Sequence, residues 1–323
     1  MVQAVDPFSM QERHHITVCI CTYQRPQLLV RLLKALECQQ TGGLFTYSVT
    51  VVDNDRRETG RNMVEEAAAT GSIPVQYDVE PEQNIALARN RAVRNAKGTH
   101  IAFLDDDERP IDTWLLSLYR TCRAYSADGA LGPVKPEFPG TPPAWIVKGR
   151  ICERKSYATG TFLRHYTDTR TGNVLFNSSI FAGEDTPFDP RFGRSGGEDT
   201  DFFRRMLHQG RTFVWCNEAE AYEMVPPERL TRSYYLRRAL LRGTVAFRQP
   251  TLRLKAIGVA KSLVAVTLYT PLLPVLLATG SHQFMRYLIK YCDHLGKLMA
   301  AVGLPVVKER GWETADLSGG QPS

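Results

Sequence analysis

Four short apolar runs, "HITVCICTY", "YSVTVVDND", "PVQYDV" and "THIAFLDDD", recur through the first 107 residues, each parted from the next by a stretch with helical spacing. Runs this short and this rich in Val, Ile and Thr read as buried strands. The first intervening stretch, "QRPQLLVRLLKALECQQ", has Pro26 near a helix start and sets Leu28, Leu29, Leu32, Leu33 and Leu36 on one face. "RNMVEEAAAT" and "NIALARNRAVRNAKG" repeat the helical pattern, the latter expected to close at Gly98. Strands alternating with helices predict an α/β fold, a mostly parallel sheet flanked by helices. In such sheets ligands sit beyond the carboxyl ends of the strands.

Three of those ends carry chemistry. The first ends in Thr22 and Tyr23, the second in Asp53 and Asp55, and the last in Asp105, Asp106 and Asp107, followed by Glu108. Adjacent carboxylates repel and resist burial, so something positive is expected among them. The run suits Mg²⁺ or Mn²⁺, held by one or two carboxylates together with substrate phosphates. Alone, "DDD" also reads as a capped turn ahead of "DTWLLSLYRTCRAY"; its place beside two other polar strand ends favours the ligand. No GxGxxG follows the first strand and no GxxxxGK[ST] occurs, so nucleotide recognition would fall to side chains. Asp53 or Asp55 can accept from a base imide, Tyr23 can stack, and Arg25 or Arg89 can approach phosphates.

The seven cysteines are scattered with no CxxC pair, which argues against a disulfide framework or zinc site and for a reducing compartment. Cys19 and Cys21 are expected on one side of a buried strand. The opening "MVQAVDPFSMQERHH" lacks an apolar core of signal-peptide length, and "WETADLSGGQPS" reads as a loose tail. The net charge of +6 is uneven: residues 229–261 hold nine Arg or Lys and no acid. The next 19 residues, "SLVAVTLYTPLLPVLLATG", carry no charge, and Pro271 and Pro274 are expected to kink or break a helix there. The segment reads as a hairpin dipping into a membrane, a span, or a soluble helix pair; the basic flank favours the membrane.

In order and spacing, "VCICTYQRPQLLVRLLKAL", "VTVVDND", "QNIALARNRAVRNAKGTHIAFLDDDERP", "TGNVLFNSSIF", "FDPRFGRSGGEDTDFFRRMLHQG" and "VPPERLTRSYYLRRALLRG" resemble glycosyltransferase family 2, which has the GT-A fold. The likeness runs from about residue 16 to 243, and is greatest to the bacterial exopolysaccharide branch of ExoM-like, succinoglycan-type transferases. It implies inverting transfer of one sugar from a nucleotide donor, often a uridine diphosphate sugar, to a glycan or lipid-linked acceptor. Thr22 and Tyr23 would line the base pocket, Asp53 or Asp55 would read the base, and Arg25, Arg89 and Asp106 would help hold the donor. Asp105 and Asp107 would form the D-x-D pair, with Asp107 the direct metal ligand. Asp199, in "GGED", would be the general base, with Glu198 beside it; a capping role at a helix start is the plainer alternative for both. Gly196 and Gly197 would let the loop approach a sugar. Asp201 and His208 read as residues of that helix rather than of the site.

Where many relatives have a histidine, this chain has Glu223, a further metal candidate; otherwise Arg229 or Arg232 would serve the diphosphate. The Q-x-x-R-W signature of processive synthases is missing, which argues for single-sugar addition. The expected organisation is a tail at 1–14, a nucleotide-sugar half at 15–128, an acceptor and catalytic half at 129–226, a basic and apolar helical membrane-associated region at 227–310, and a tail at 311–323. Within the acceptor half, Asn173 is a candidate contact and Trp145 a residue either for stacking on sugar or for the core. The cytoplasmic face of an inner membrane is the expected location, and no nucleic acid is expected as partner. A nucleotidyltransferase would need a basic triphosphate loop, where only Arg25 stands. A non-catalytic sugar-nucleotide-binding subunit would have no use for Asp105, Asp107 and Asp199 together.

Overall fold

A computed structural model describes residues 14–194, 196–247 and 252–304. The chain divides into two compact units, one reaching to Glu137 and resuming over Glu153–Met224, the other formed by Phe138–Cys152 and the chain from Val225 onward.

The first unit opens with β1 (His14–Thr22), α1 (Pro26–Glu37), β2 (Phe45–Asp53), α2 (Arg61–Thr70), β3 (Val75–Val79), α3 (Ile85–Asn95) and β4 (His100–Phe103), the alternation expected from the sequence. It continues through β5 (Glu108–Pro110), α4 (Trp114–Ala124), β6 (Gly129–Leu131) and β7 (Val134–Glu137). After the second unit's α5 (Ala144–Gly149) it resumes with β8 (Val174–Asn177), α6 (Glu198–His208), β9 (Phe213–Trp215) and β10 (Ala221–Met224). The main sheet has the order β3-β2-β1-β4-β8-β6-β9, and a small one the order β5-β10-β7. Neighbours in the main sheet are parallel except around β8, which runs antiparallel to both β4 and β6.

Strand alternation divides the core between the two faces. Ile16, Val18 and Ile20 of β1 pack with Leu29, Leu32, Leu33 and Leu36 of α1 and Trp114, Leu115 and Leu118 of α4. Cys19 points the other way, with Cys21 packed on the same side, against α3 and α6 and the rings of Phe103, Phe176, Phe188, Phe202, Phe203 and Phe213. All seven cysteines are free thiols.

α3 ends at Asn95 rather than at Gly98. Gly98 instead serves the turn into β4: at φ +100° it lies so close to β1 that a Cβ there would fall 2.4 Å from the His15 carbonyl oxygen. Asn173 is fully buried. Its Oδ1 accepts from Trp114 Nε1 at 2.7 Å, and its Nδ2 donates to the carbonyls of Pro133 at 2.9 Å and Ala219 at 2.8 Å. It ties β8 to its neighbours and has no surface to offer an acceptor.

The second unit holds α5, α7 (Arg232–Ala246), α8 (Leu252–Thr279) and α9 (Ser281–Ala301). Trp145 belongs to its core, with Ile146 and Met285, and meets Tyr235 edge-on at 5.8 Å; of its two readings, packing holds. α8 runs through Pro271 and Pro274 without a break, so of the kink or break expected there the break does not occur. A proline takes one N–H from a helix and crowds the turn before it, a cost that a helix of 28 residues with its remaining bonds intact absorbs here. Gly280 turns the chain into α9, which packs against both α7 and α8. The Ser262 hydroxyl lies 3.1 Å from His294 Nδ1, and Arg242 pairs with Asp293 at 3.0 Å.

Replacing Asn173 by Ala removes three hydrogen bonds and leaves buried partners unpaired, so urea denaturation should show a loss of about 2–4 kcal/mol. A loss under about 0.5 kcal/mol would contradict this role.

Candidate functional site

Parallel pairing puts the polar strand ends on one edge. Thr22 lies directly across from Asp53 in the β1–β2 ladder, and Cys19 across from Phe103 in the β1–β4 ladder, so Asp105–Asp107 emerge beside Thr22. A cavity of about 540 Å³ lined by His14, His100, Arg123 and Asp128 among others lies at the opposite edge, where β1 and β4 begin.

The chain answers its own row of acids with arginine. Arg25 donates to Asp106 at 3.0 Å and to Asp107 at 3.2 Å, and Thr22 donates its hydroxyl to Asp106 at 2.9 Å. Asp106 is therefore buried and bound on the β1 side. Arg89, itself buried on α3, lies 3.7 Å from Asp105 and forms a close ion pair with Glu198 at the start of α6. Burial works against the Arg89 charge, but Glu198 and Asp105 raise its pKa all the same. Burial also pushes the Glu198 carboxyl up, against the pull of Arg89.

The loop before α6 is stitched to α3. Asn90, next to Arg89, exchanges two hydrogen bonds with the backbone of Phe188, at 2.7 and 2.8 Å. Asn84 caps α3 by accepting from Ala86 N at 3.0 Å and donates to the Pro190 carbonyl at 2.9 Å. Gly193 passes so near that a Cβ would overlap Asn84 Oδ1. Gly196 and Gly197, at φ +79° and +104°, then turn the chain into α6. These contacts bring Glu198 to Arg89 and set Asp199 beside it, half-buried in the first turn. Asp201 is also in that turn, as expected of a residue of the helix, and is buried and paired with Arg204 and Arg205 at 2.6 and 3.0 Å. His208 is in the last turn.

Asp53 is 0% exposed, and its carboxylate accepts from Gly60 N and Tyr77 Oη at 2.8 Å and from Asp55 N at 3.0 Å. Asp55 accepts from Arg57 N at 3.0 Å and Thr59 Oγ1 at 3.2 Å. Both aspartates shape the turn after β2, and both are buried. Tyr23 sits half-buried just after β1.

On the far side of the row, Glu223 lies directly across from Glu108 in the β5–β10 ladder and forms a close ion pair with Arg154. Glu108 is 2% exposed; its Oε2 accepts from Asp105 N at 3.3 Å, while its Oε1 is buried with no partner among the described residues. Burial first, then Asp105, raises its pKa well above the usual range. Burial and the charges of Asp105, Asp106 and Glu223 push Asp107 up to about 6, with Arg25 opposing. Arg154 and Arg170, both within reach of these acids, belong to no motif; only their positions ahead of β8 and opposite Glu223 single them out, and the linear sequence does not show that. Arg229 and Arg232 belong to the second unit.

Among the described residues no three His, Cys, Asp or Glu side chains gather closely enough to enclose a metal ion. A hard divalent ion completed by substrate phosphates needs only one or two carboxylates. Half-exposed Asp105, neighbouring Asp107 and the orphaned oxygen of Glu108 are chemically suited to it.

A sequence profile described as glycosyl transferase family 2 matches residues 17–186. The chain is 33% identical over 233 residues to the succinoglycan biosynthesis protein ExoM of Rhizobium meliloti (strain 1021), covering 72% of this chain and 74% of that protein. It is 25% identical over 245 residues to the chondroitin synthase of Escherichia coli, covering 66% of this chain and 35% of that one. Among solved structures, S. aureus TarS 1–349 in complex with UDP superposes with a TM-score of 0.52 at 16% identity, covering 90% of each chain. The same segment in complex with UDP-GlcNAc gives 0.53 at 14% identity, covering 90% of this chain and 92% of that one. At these identities the likeness is one of fold.

A folded-state pKa of about 6 at Asp107, against an ordinary 3.8, means that the native state holds this proton more tightly than the unfolded chain does. The stability linked to it is complete below the ordinary value and lost as pH rises through about 6. Asp107→Asn should therefore stabilise the ligand-free protein at pH 8, on the order of 1–2 kcal/mol, and confer almost nothing at pH 4. Thermal unfolding at both pH values checks this; a destabilised variant at pH 8 would refute it.

Proposed function

This chain belongs to glycosyl transferase family 2, and on that footing we propose that it moves a single sugar, with inversion, from a uridine diphosphate sugar to a glycan or lipid-linked acceptor in exopolysaccharide assembly. The observation that carries the reading is Arg89, which joins the D-x-D end of β4 to the acidic start of α6. The UDP and UDP-GlcNAc complexes of TarS, which share the fold, support the choice of donor. The name of ExoM supports the choice of process.

In this mechanism Asp105 and Asp107 would hold Mn²⁺ or Mg²⁺, which when bound supplies positive charge against the diphosphate leaving group. Arg25, released from Asp106 and Asp107 as the donor enters, turns its guanidinium to phosphate. Thr22 keeps Asp106 in place, and Asp53 and Asp55 hold the turn that walls the base beside Tyr23. Asp199 takes the proton from the acceptor hydroxyl as that oxygen attacks the anomeric carbon and the bond to the diphosphate breaks. Glu198 stays paired with Arg89 and fixes the first turn of α6, so that Asp199 meets the hydroxyl.

Asp199→Asn should keep donor affinity within about threefold while turnover falls on the order of 10²–10⁴-fold. Asp107→Ala should instead weaken donor binding in Mn²⁺. Transfer from UDP-sugars and donor titrations check both; wild-type turnover in both variants would end the mechanism.

The second unit serves as the membrane attachment. α8 is long and apolar enough to cross a bilayer, and its Leu263 and Leu268 are 54% and 63% exposed. Its 28 residues rise about 42 Å, well over the ~30 Å of hydrocarbon. α9, packed along it, carries Arg286, Lys290, Asp293, His294 and Lys297, which would be costly to bury in lipid. The hairpin therefore lies in the interface of the cytoplasmic leaflet, with Arg253, Lys255 and Lys261 facing anionic head groups. Leu263→Glu with Leu268→Glu should release the protein from anionic vesicles in a flotation assay without altering its unfolding temperature. Undiminished flotation would rule this placement out.

A further inference from the structure

Arg25 and Arg89 neutralise the acidic row from the β1 and α3 side, and the donor reading uses them both. On the β8 and β10 side stand two more arginines that it leaves idle. Arg154 is paired with Glu223. Arg170 is half-buried, and among the described residues its guanidinium makes no ion pair and no hydrogen bond. It is held close to acids without docking on them. Gly172, two residues on, presses against the row: a Cβ there would fall 2.8 Å from Asp105 Oδ2 and 2.9 Å from Glu108 Oε1. Asn173, bonded three ways, anchors the loop from behind.

The hydroxyl of Thr171, next to Arg170, is also buried without a partner among the described residues and can donate to an anion. Burial and the like charge of Arg154 bring Arg170 down to about 10. Asp105, Glu108 and Glu223 offset the charge of Arg170 from nearby without bonding it, so its guanidinium donors stay open, and planar guanidinium forks match phosphate oxygens.

We propose that Arg170 and Arg154 form a second anion subsite, on the acceptor side of the carboxylate row, that takes a diphosphate group. Its role in catalysis rests on the glycosyltransferase reading; its binding of diphosphate does not. The group has two sources, the diphosphate of a lipid-linked acceptor and that of the nucleotide donor.

The test titrates inorganic pyrophosphate, UDP and a short-chain polyprenyl-diphosphate sugar into the full chain, comparing wild type with Arg170→Gln, Arg170→Lys and Arg154→Gln at matched thermal stability. Arg170→Gln should weaken pyrophosphate binding at least tenfold, and Arg170→Lys should recover part of the loss. A parallel loss for the polyprenyl compound with UDP unchanged assigns the subsite to the acceptor; a loss for UDP alone assigns it to the donor. Pyrophosphate affinity that ignores all three substitutions overturns the subsite, even where the wild type transfers sugar. Arginine-dependent pyrophosphate binding in a protein that transfers no sugar from any nucleotide donor upholds the subsite and overturns the catalytic reading instead.

Discussion

The site depends on one buried ion pair. Arg89 and Glu198 lie on elements more than a hundred residues apart, and both are taken from water. Burying two charges costs several kcal/mol each, and their attraction repays this only when the geometry is held. Asn84, Asn90 and the close pass of Gly193 do the holding, fastening the loop before α6 onto α3. The adjacent Arg89 and Asn90 thus divide the work: the asparagine fixes the backbone, and the arginine gathers the carboxylates. Removing either partner of the pair would leave the other charged and buried, so the start of α6, with Asp199 next to Glu198, stays fastened to α3.

The second constraint is electrostatic balance. Asp105, Asp106, Asp107, Glu108 and Glu223 crowd the ends of β4, β5 and β10, and burial makes the ionised forms of Asp106, Asp107 and Glu108 unfavourable. Arg25, Arg89 and Arg154 offset part of that repulsion in the ligand-free protein. On the proposed reading, side chains that hold the row together before substrate arrives would also receive phosphate, so that binding would exchange one set of charge partners for another rather than build the site anew.

Much of this was legible in the linear chain because its signals are local. Short β-branched runs, leucines at helical spacing and acids at strand ends dictated the mostly parallel sheet and its acidic edge, and family resemblance ordered the motifs along it. What could not be read depended on partners distant in sequence. Nothing near Asp53 announces that Gly60 and Tyr77 donate to its carboxylate, and nothing near Asn173 foretells Trp114. Pro271 and Pro274 were expected to kink or break a helix by a rule about isolated bonds, and the remaining bonds of a long helix carry it through both without a break. Arg154 and Arg170 lie outside every motif, and only folding brings them to the acids.

The most direct measurement is calorimetric titration of UDP into the full chain, with and without Mn²⁺. If the edge formed by β1, β2 and β4 receives a nucleotide diphosphate through its carboxylates, one molecule should bind and its affinity should rise at least tenfold with the ion. Absence of binding, or an affinity indifferent to Mn²⁺, would contradict the account.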